Sequence, residues 1–234
     1  MINTEALQRS YNNVREKWDP HFEWVVNESA PWTPLRQPLA QTALALVGTC
    51  GAHRRGVDCP FDAANYYGDP SFKEIPHDTP PAALDFAHAH YDHAHVAQDA
   101  NVGFPLGHLR ALDAEGIIRR FVDPAISFSG YLPQTRQLVK DTAPAAAKRL
   151  LEVGLIARVL EAAGIATVCI IMRREVAENV KPPRVLFVKF PFGAPLGPAG
   201  DAETQRGVIL EGLSALTYAT EPGTIVDSPR AWKR

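Results

Sequence analysis

Residues 41–48 (QTALALVG) form a nearly continuous apolar run ending in glycine, which predicts a strand buried on both faces of a parallel sheet. Before it, residues 4–18 mix apolar and charged positions behind Thr4 and suit a short N-capped surface helix. Trp24, Trp32 and the prolines Pro20, Pro31, Pro34 and Pro38 follow, a density that excludes regular helix or central strand and predicts an extended arm pinned by tryptophans. Thr49 to Pro81 is rich in glycine and proline, and a loop of that length is usually functional or disordered. Its aromatics Phe61, Tyr66, Tyr67 and Phe72 argue for order. Strands are expected at 84–88, 117–122, 165–171 and 184–189. Helices are expected at 105–115, started by Pro105 and stopped by Gly116, within 142–163, near 173–179, and from Asp201 to about Tyr218. Strands alternating with helices predict an α/β fold with a mostly parallel sheet flanked by helices. The expected organisation is an N-terminal helix and arm over 1–40 and a single α/β domain over 41–234.

Composition narrows the classes without choosing one. Of 234 residues 46% are apolar and 21% charged, with a formal charge of −2, ordinary globular values that give no summed field for holding nucleic acid or an anionic membrane. No apolar run approaches the length of a membrane span, and Met1 to Asn13 lacks a signal-peptide core. Three cysteines cannot build a disulfide scaffold, and an odd count points to a reducing compartment, so a cytoplasmic location is expected.

The histidines are the least random feature. Five of eight fall between His77 and His95, interleaved with Asp78, Asp85 and Asp92. His88 and His90 lie two apart and point the same way on extended chain, and His93 can swing in from the next turn. Three imidazoles would leave an open position on a divalent transition metal, zinc or iron, with Asp85 and Asp92 in the first or second shell and Tyr91 as a donor. The bland alternative is that the rings hydrogen-bond the backbone of a long loop. His88-Ala89-His90-Tyr91-Asp92-His93 also matches the H-x-H-x-D-H signature of the metallo-β-lactamase superfamily. No histidine occurs after His108 to complete such a site.

Cys169 falls inside an expected buried strand and reads as an inert core thiol. Cys50 ends a strand, where open α/β sheets bind ligands, and Arg54 and Arg55 stand near enough in sequence to lower its pKa. Cys50 and Asp92 are therefore the catalytic candidates, with His53, Tyr91 and Tyr131 as candidates for contacting substrate. No P-loop, G-x-G-x-x-G, G-x-S-x-G or C-x-x-C is present.

An ordered succession of segments carries a resemblance. It begins with Pro31-Trp32-Thr33-Pro34-Leu35 and continues through Ala45-Leu46-Val47-Gly48-Thr49, His53, Pro60-Phe61-Asp62 and residues 68–76 (GDPSFKEIP). After His88 to His93 come Phe104-Pro105, Ser127-Phe128-Ser129-Gly130-Tyr131, residues 154–164, Phe190-Pro191-Phe192-Gly193 and residues 222–227. From about residue 31 onward the chain resembles the selenoprotein B-type subunits of glycine, sarcosine, betaine and D-proline reductases, in particular their small cysteine-containing relatives.

The resemblance implies an oxidoreductase subunit acting in reductive cleavage of a carbon–nitrogen bond on an amino-acid-like small molecule. It also implies a partner reductase subunit, and a redox selenocysteine or cysteine in a short U/C-x-x-C loop. That loop would follow a strand and precede the helix corresponding to 154–163. Here residues 145–153 (AAAKRLLEV) run directly into the helix, with neither strand nor cysteine, so no residue inherits the redox role. The sheet is then expected to lack a strand, and its exposed edge makes a homo-oligomer plausible. Two readings stay open: a reductase using other residues, such as the histidine cluster with a metal, or a non-catalytic relative that binds a small molecule or partner subunit.

Overall fold

Ten strands of two to four residues form four small sheets in a computed structural model that describes residues 26–130 and 157–232, together with Gln8, Asn12, Arg15, Glu16 and Pro20. They are β1 (Ala43–Leu44), β2 (Val47–Gly48), β3 (Ala52–Arg54), β4 (Phe72–Ile75), β5 (Leu84–Phe86), β6 (Arg120–Phe121), β7 (Ala125–Phe128), β8 (Cys169–Ile171), β9 (Arg184–Phe187) and β10 (Thr224–Asp227). Among the described residues the α-helices are α1 (Ala94–Gln98), α2 (Leu106–Ala114), α3 (Ala157–Ala162), α4 (Arg174–Val180) and α5 (Ala202–Tyr218).

The α/β class holds, but the expected single sheet is corrected. β1 with β6, β2 with β7, and β8, β9 and β10 pair in parallel, whereas β3 with β5 and β4 with β7 are antiparallel. The run over 41–48 is divided between β1 and β2 because its partner strand is interrupted at Asp123-Pro124, where proline has no N–H to give the ladder. Val122 N still donates to Leu44 O at 2.8 Å and Ile126 N to Leu46 O at 2.9 Å on either side of that break. The run is also half-buried rather than covered on both faces, with Gly48 alone fully buried. All four residues of β7 are buried, in the most enclosed strand of this sheet. Its serine interrupts the apolar pattern, which is why β7 escapes the periodicity, as do the short strands β3, β4 and β10.

The helices follow the pattern more closely. In α2, Leu106, Leu109 and Leu112 repeat every three residues and are buried, and Gly116 at φ 71° follows its end. Asp201 caps α5, its Oδ1 accepting from Thr204 N at 3.0 Å. Val208, Leu213 and Leu216 of α5 share one apolar cluster with Leu186 of β9, Phe121 of β6 and Leu106 of α2. Gln8, Asn12, Arg15 and Glu16 of the expected first helix are helical. The rest of that helix, Trp24 and residues 142–156 of the helix expected within 142–163 lie outside the described residues, and α3 is the described end of the latter. No described helix is long and apolar enough to cross a membrane.

The arm from Val26 to Pro38 forms neither helix nor strand and is held from its far side. The Glu161 carboxylate accepts from Thr33 N, from Thr167 N at 2.7 Å and from Arg184 Nη1. Arg184 Nη2 donates to Thr33 O at 2.7 Å, and its guanidinium lies 3.6 Å from the Trp32 ring centroid. Both ionic side chains are essentially removed from water. Burial pushes the Glu161 carboxyl up and the Arg184 guanidinium down, and the hydrogen bonds around the pair oppose both shifts.

Candidate functional site

The stretch from His88 to His95 is the meeting point of two sheets. Gly48 ends β2, and Gly51, at φ 74°, turns the chain from Cys50 into β3. Gly51 N donates to Phe128 O and Ala87 N to Gly51 O, both at 2.9 Å. A Cβ on Gly51 would lie 2.1 Å from Ala87 O, so the close approach of these backbones requires glycine. Cys50 consequently sits opposite Ser129, past the end of β7, and next to the turn that follows β5.

That turn is tied together by its own imidazoles. His88 Nδ1 accepts from His90 N at 3.0 Å, and His93 Nε2 donates to His88 O at 2.7 Å. The Tyr91 ring lies between them, its centroid 4.8 Å from His88 and 4.5 Å from His93, and its hydroxyl donates to Cys50 O at 2.7 Å. Two glycines make room. A Cβ on Gly130 would meet His88 Nε2 at 2.9 Å, and one on Gly193 would meet Tyr91 Cδ2 at 2.8 Å. Beyond them His95 stands edge-on to Trp232, with ring centroids 5.2 Å apart. Segments that follow the carboxyl ends of β2, β7, β9 and β10 therefore converge on one turn, the position at which open α/β sheets take ligands.

Burial sets the protonation of these groups. His88 is pushed down to about 4, first by burial and then by the neighbouring His90 and His93. Burial lowers His90 and raises the Tyr91 phenol. Cys50 is pushed up to about 12 by removal of its sulfur from water, and Sγ donates to Gly103 O at 3.5 Å. At neutral pH it is a thiol, not a thiolate. The expected activation by arginine is corrected. Arg54 is engaged by Asp58, with Nη2 2.7 Å from Oδ1, and Arg55 Nε lies 3.4 Å from Asp85 Oδ2.

His88 makes stability depend on pH. Above pH 6.5 the ring is neutral in the folded and unfolded chain alike; below it the unfolded chain binds a proton that the folded chain refuses until about pH 4. Stability is thus expected to fall by about 2 kcal/mol between these limits, after discounting for partial solvation. Denaturant unfolding of wild type and His88→Asn across this range checks it. Equal slopes for the two would remove His88 from the account.

Of the other sequence candidates, Asp92 is exposed and its Oδ1 accepts from Ala94 N at 2.9 Å, in the first turn of α1. His53 is buried on β3, its Nδ1 3.2 Å from Gly51 O. Tyr131 lies outside the described residues. His88, His90 and His93 do come together, but the backbone engages one nitrogen each of His88 and His93. Among the described residues no group of three His, Cys, Asp or Glu side chains stands ready to hold a metal ion. Sequence reasoning missed Gly103, Gly130 and Gly193 as site residues. The signal for the last two lay in the segments Ser129-Gly130 and Phe192-Gly193 of the resemblance.

No known family profile matches the chain, and no solved structure matches it. The chain is 29% identical over 216 residues to the D-proline reductase subunit gamma of Acetoanaerobium sticklandii, covering 85% of this chain and 88% of that protein. Over that length, the chain is a distant relative of a reductase subunit.

Proposed function

We propose that the chain is a subunit of a reductase-type assembly that presents a small-molecule site at the His88–His95 turn and receives its reducing power from a partner subunit. Support comes from the likeness to a subunit of D-proline reductase and from the convergence of strand ends on Cys50 and Tyr91. The placement of sulfur carries the division of labour. Cys50 is half-buried and protonated, Cys169 lies in a different sheet and is pushed up to about 12 by burial, and Cys59 is exposed; all three are free thiols. Dithiol exchange needs two sulfurs within reach of each other. The substrate is an amino-acid-like molecule whose carbon–nitrogen bond is cleaved when the complete assembly acts, in the cytoplasm.

Purified alone and supplied with dithiothreitol, the chain is expected to turn over neither D-proline, glycine nor betaine. Turnover by the single chain that survives Cys50→Ser would overturn this reading. The test of the assembly is whether a stoichiometric partner subunit confers turnover that Tyr91→Phe reduces.

The alternative in which the histidines carry a metal requires His88 to surrender its backbone bond, because an Nδ1 that accepts from His90 N leaves the proton on Nε2, whereas His93, donating through Nε2, keeps Nδ1 for a metal. Protein prepared with added zinc and iron is therefore expected to retain neither metal after dialysis. Stoichiometric metal that disappears in His90→Ala with the fold intact would establish the metal site instead.

A further inference from the structure

The segment that follows β10 crosses α5 and runs to the His88–His95 turn. Ser228 N donates to Phe187 O at 2.9 Å, so the chain leaves the sheet still bonded to β9. Its side chains then fasten it to a single carboxylate: Ser228 Oγ donates to Glu211 Oε2 at 2.6 Å and Arg230 Nε to Glu211 Oε1 at 2.7 Å. Gly207, one helical turn before Glu211, provides the bed. The three atoms nearest to a Cβ built there all belong to the Arg230 guanidinium, so alanine would force it away. Two residues on, the Trp232 ring stands edge-on to His95 and to Phe190, with centroids 5.2 and 5.7 Å apart.

Trp232 packs against the main core and also against a small separate cluster. That cluster has Val96, Val102 and Ala194 at its centre, and Tyr91 packs against it as well. Val96 belongs to α1, whose five residues are too few to be helical without such support. From the cluster the contacts lead to the thiol. A Cβ on Gly103 would lie 3.0 Å from Val96 Cγ1 and 3.5 Å from Cys50 Sγ, and that sulfur donates to Gly103 O. The order is therefore Trp232, Val96, Gly103 and Cys50, and Tyr91 closes the circuit through its bond to Cys50 O. A cluster of so few apolar residues opens at a lower free energy than the main core. The fastening that holds its cover is an ion pair that solvent reaches.

We propose that residues 228–232 form a latch over the His88–His95 turn: seated, they keep Cys50 enclosed, and their release lets α1 and Tyr91 move and opens the thiol to small molecules. The latch regulates the site taken above as the functional one and rests on that reading only for its biological use. It is tested by access to sulfur and not by turnover, so its failure and that of the reductase reading are distinguishable.

The experiment is alkylation of the full native chain by iodoacetamide, with the modified cysteines located by peptide mapping. Cys169 is the internal reference, because it is half-buried like Cys50 but lies on β8. Trp232→Ala and Gly207→Ala should each raise the Cys50 rate at least about tenfold while leaving the Cys169 rate within about twofold of wild type. In Gly207→Ala the latch is displaced without weakening its support: alanine is the better helix former, so Tm should not fall, yet Arg230 must move. Trp232→Phe keeps an aromatic ring against His95 and should hold Cys50 near its wild-type rate. Equal acceleration of both cysteines would report a general loss of stability, and an unchanged Cys50 rate in both alanine variants would show that the segment covers nothing. Either result overturns the proposal.

Discussion

Glu161→Ala is expected to destabilise the fold by about 3–5 kcal/mol, because it leaves the buried Arg184 guanidinium without its counter-charge. The loss is not confined to the pair. Glu161 also accepts from Thr33 N, Thr167 N and Thr167 Oγ1, so three donors lose their acceptor together with the arginine. Arg184 Nε already lacks a partner among the described residues, which removes any slack for rearrangement. Glu161→Gln keeps an acceptor and should cost less than alanine. Replacing both members with apolar residues of similar size should recover most of the loss, since desolvating an ion pair consumes much of what it returns. Denaturant unfolding of the three variants reads this directly. A cost below about 1 kcal/mol for Glu161→Ala would show that the Arg184 guanidinium does not depend on this carboxylate for its burial.

Gly51→Ala is expected to cost about 2–4 kcal/mol and to displace the His88–His95 turn. The φ of 74° strains any residue with a Cβ, by about 1–2 kcal/mol. The added carbon would also fall 2.1 Å from a backbone oxygen that has no rotamer to change. Ala87, which carries that oxygen, immediately precedes His88, so relief of the overlap must move the turn. Gly56→Ala separates the two effects, because Gly56 has a similar φ of 70° but nothing within 4 Å of its added Cβ. It should cost about 1 kcal/mol and leave the turn in place. Unfolding midpoints together with the NMR shifts of the histidine ring protons distinguish them. Equal behaviour of the two variants would contradict the argument.

What the sequence disclosed and what it hid follow from the range of the interactions involved. Helices α2 and α5 were legible because their signals are local: Pro105 and Gly116 bracket one, Asp201 caps the other, and leucines mark the inner face. β7 was hidden because Ser127 breaks its apolar run, and the groups that surround that serine come from neighbouring strands. The division of 41–48 between two strand pairs depends on Pro124, some eighty residues away, and no local window contains that information. At the site, Cys50, His88 and Tyr91 were identifiable as chemical types in a suggestive order. Their relationship was not: that Tyr91 reaches the Cys50 carbonyl, or that Gly130 and Gly193 make space for the rings, is decided by tertiary contact. Arg54 and Arg55 misled for the same reason, since their carboxylate partners are found only once the chain has turned.

The clasp between the arm and α3 joins residues 128 positions apart, and this changes what counts as a removable end. An arm without regular structure looks like packaging, the first thing to be trimmed from an expression fragment. Here the backbone of Thr33 is one wall of the compartment that shields Arg184 and Glu161. Cutting the chain after Thr33 would not release a smaller intact body but would open that compartment to solvent along the flank of β9. Severing the peptide between Pro34 and Leu39 while leaving both pieces present is a different case, because the clasp can retain the arm as a separate strand of polypeptide. The molecule is in that sense closed like a belt, with its buckle far from either tip.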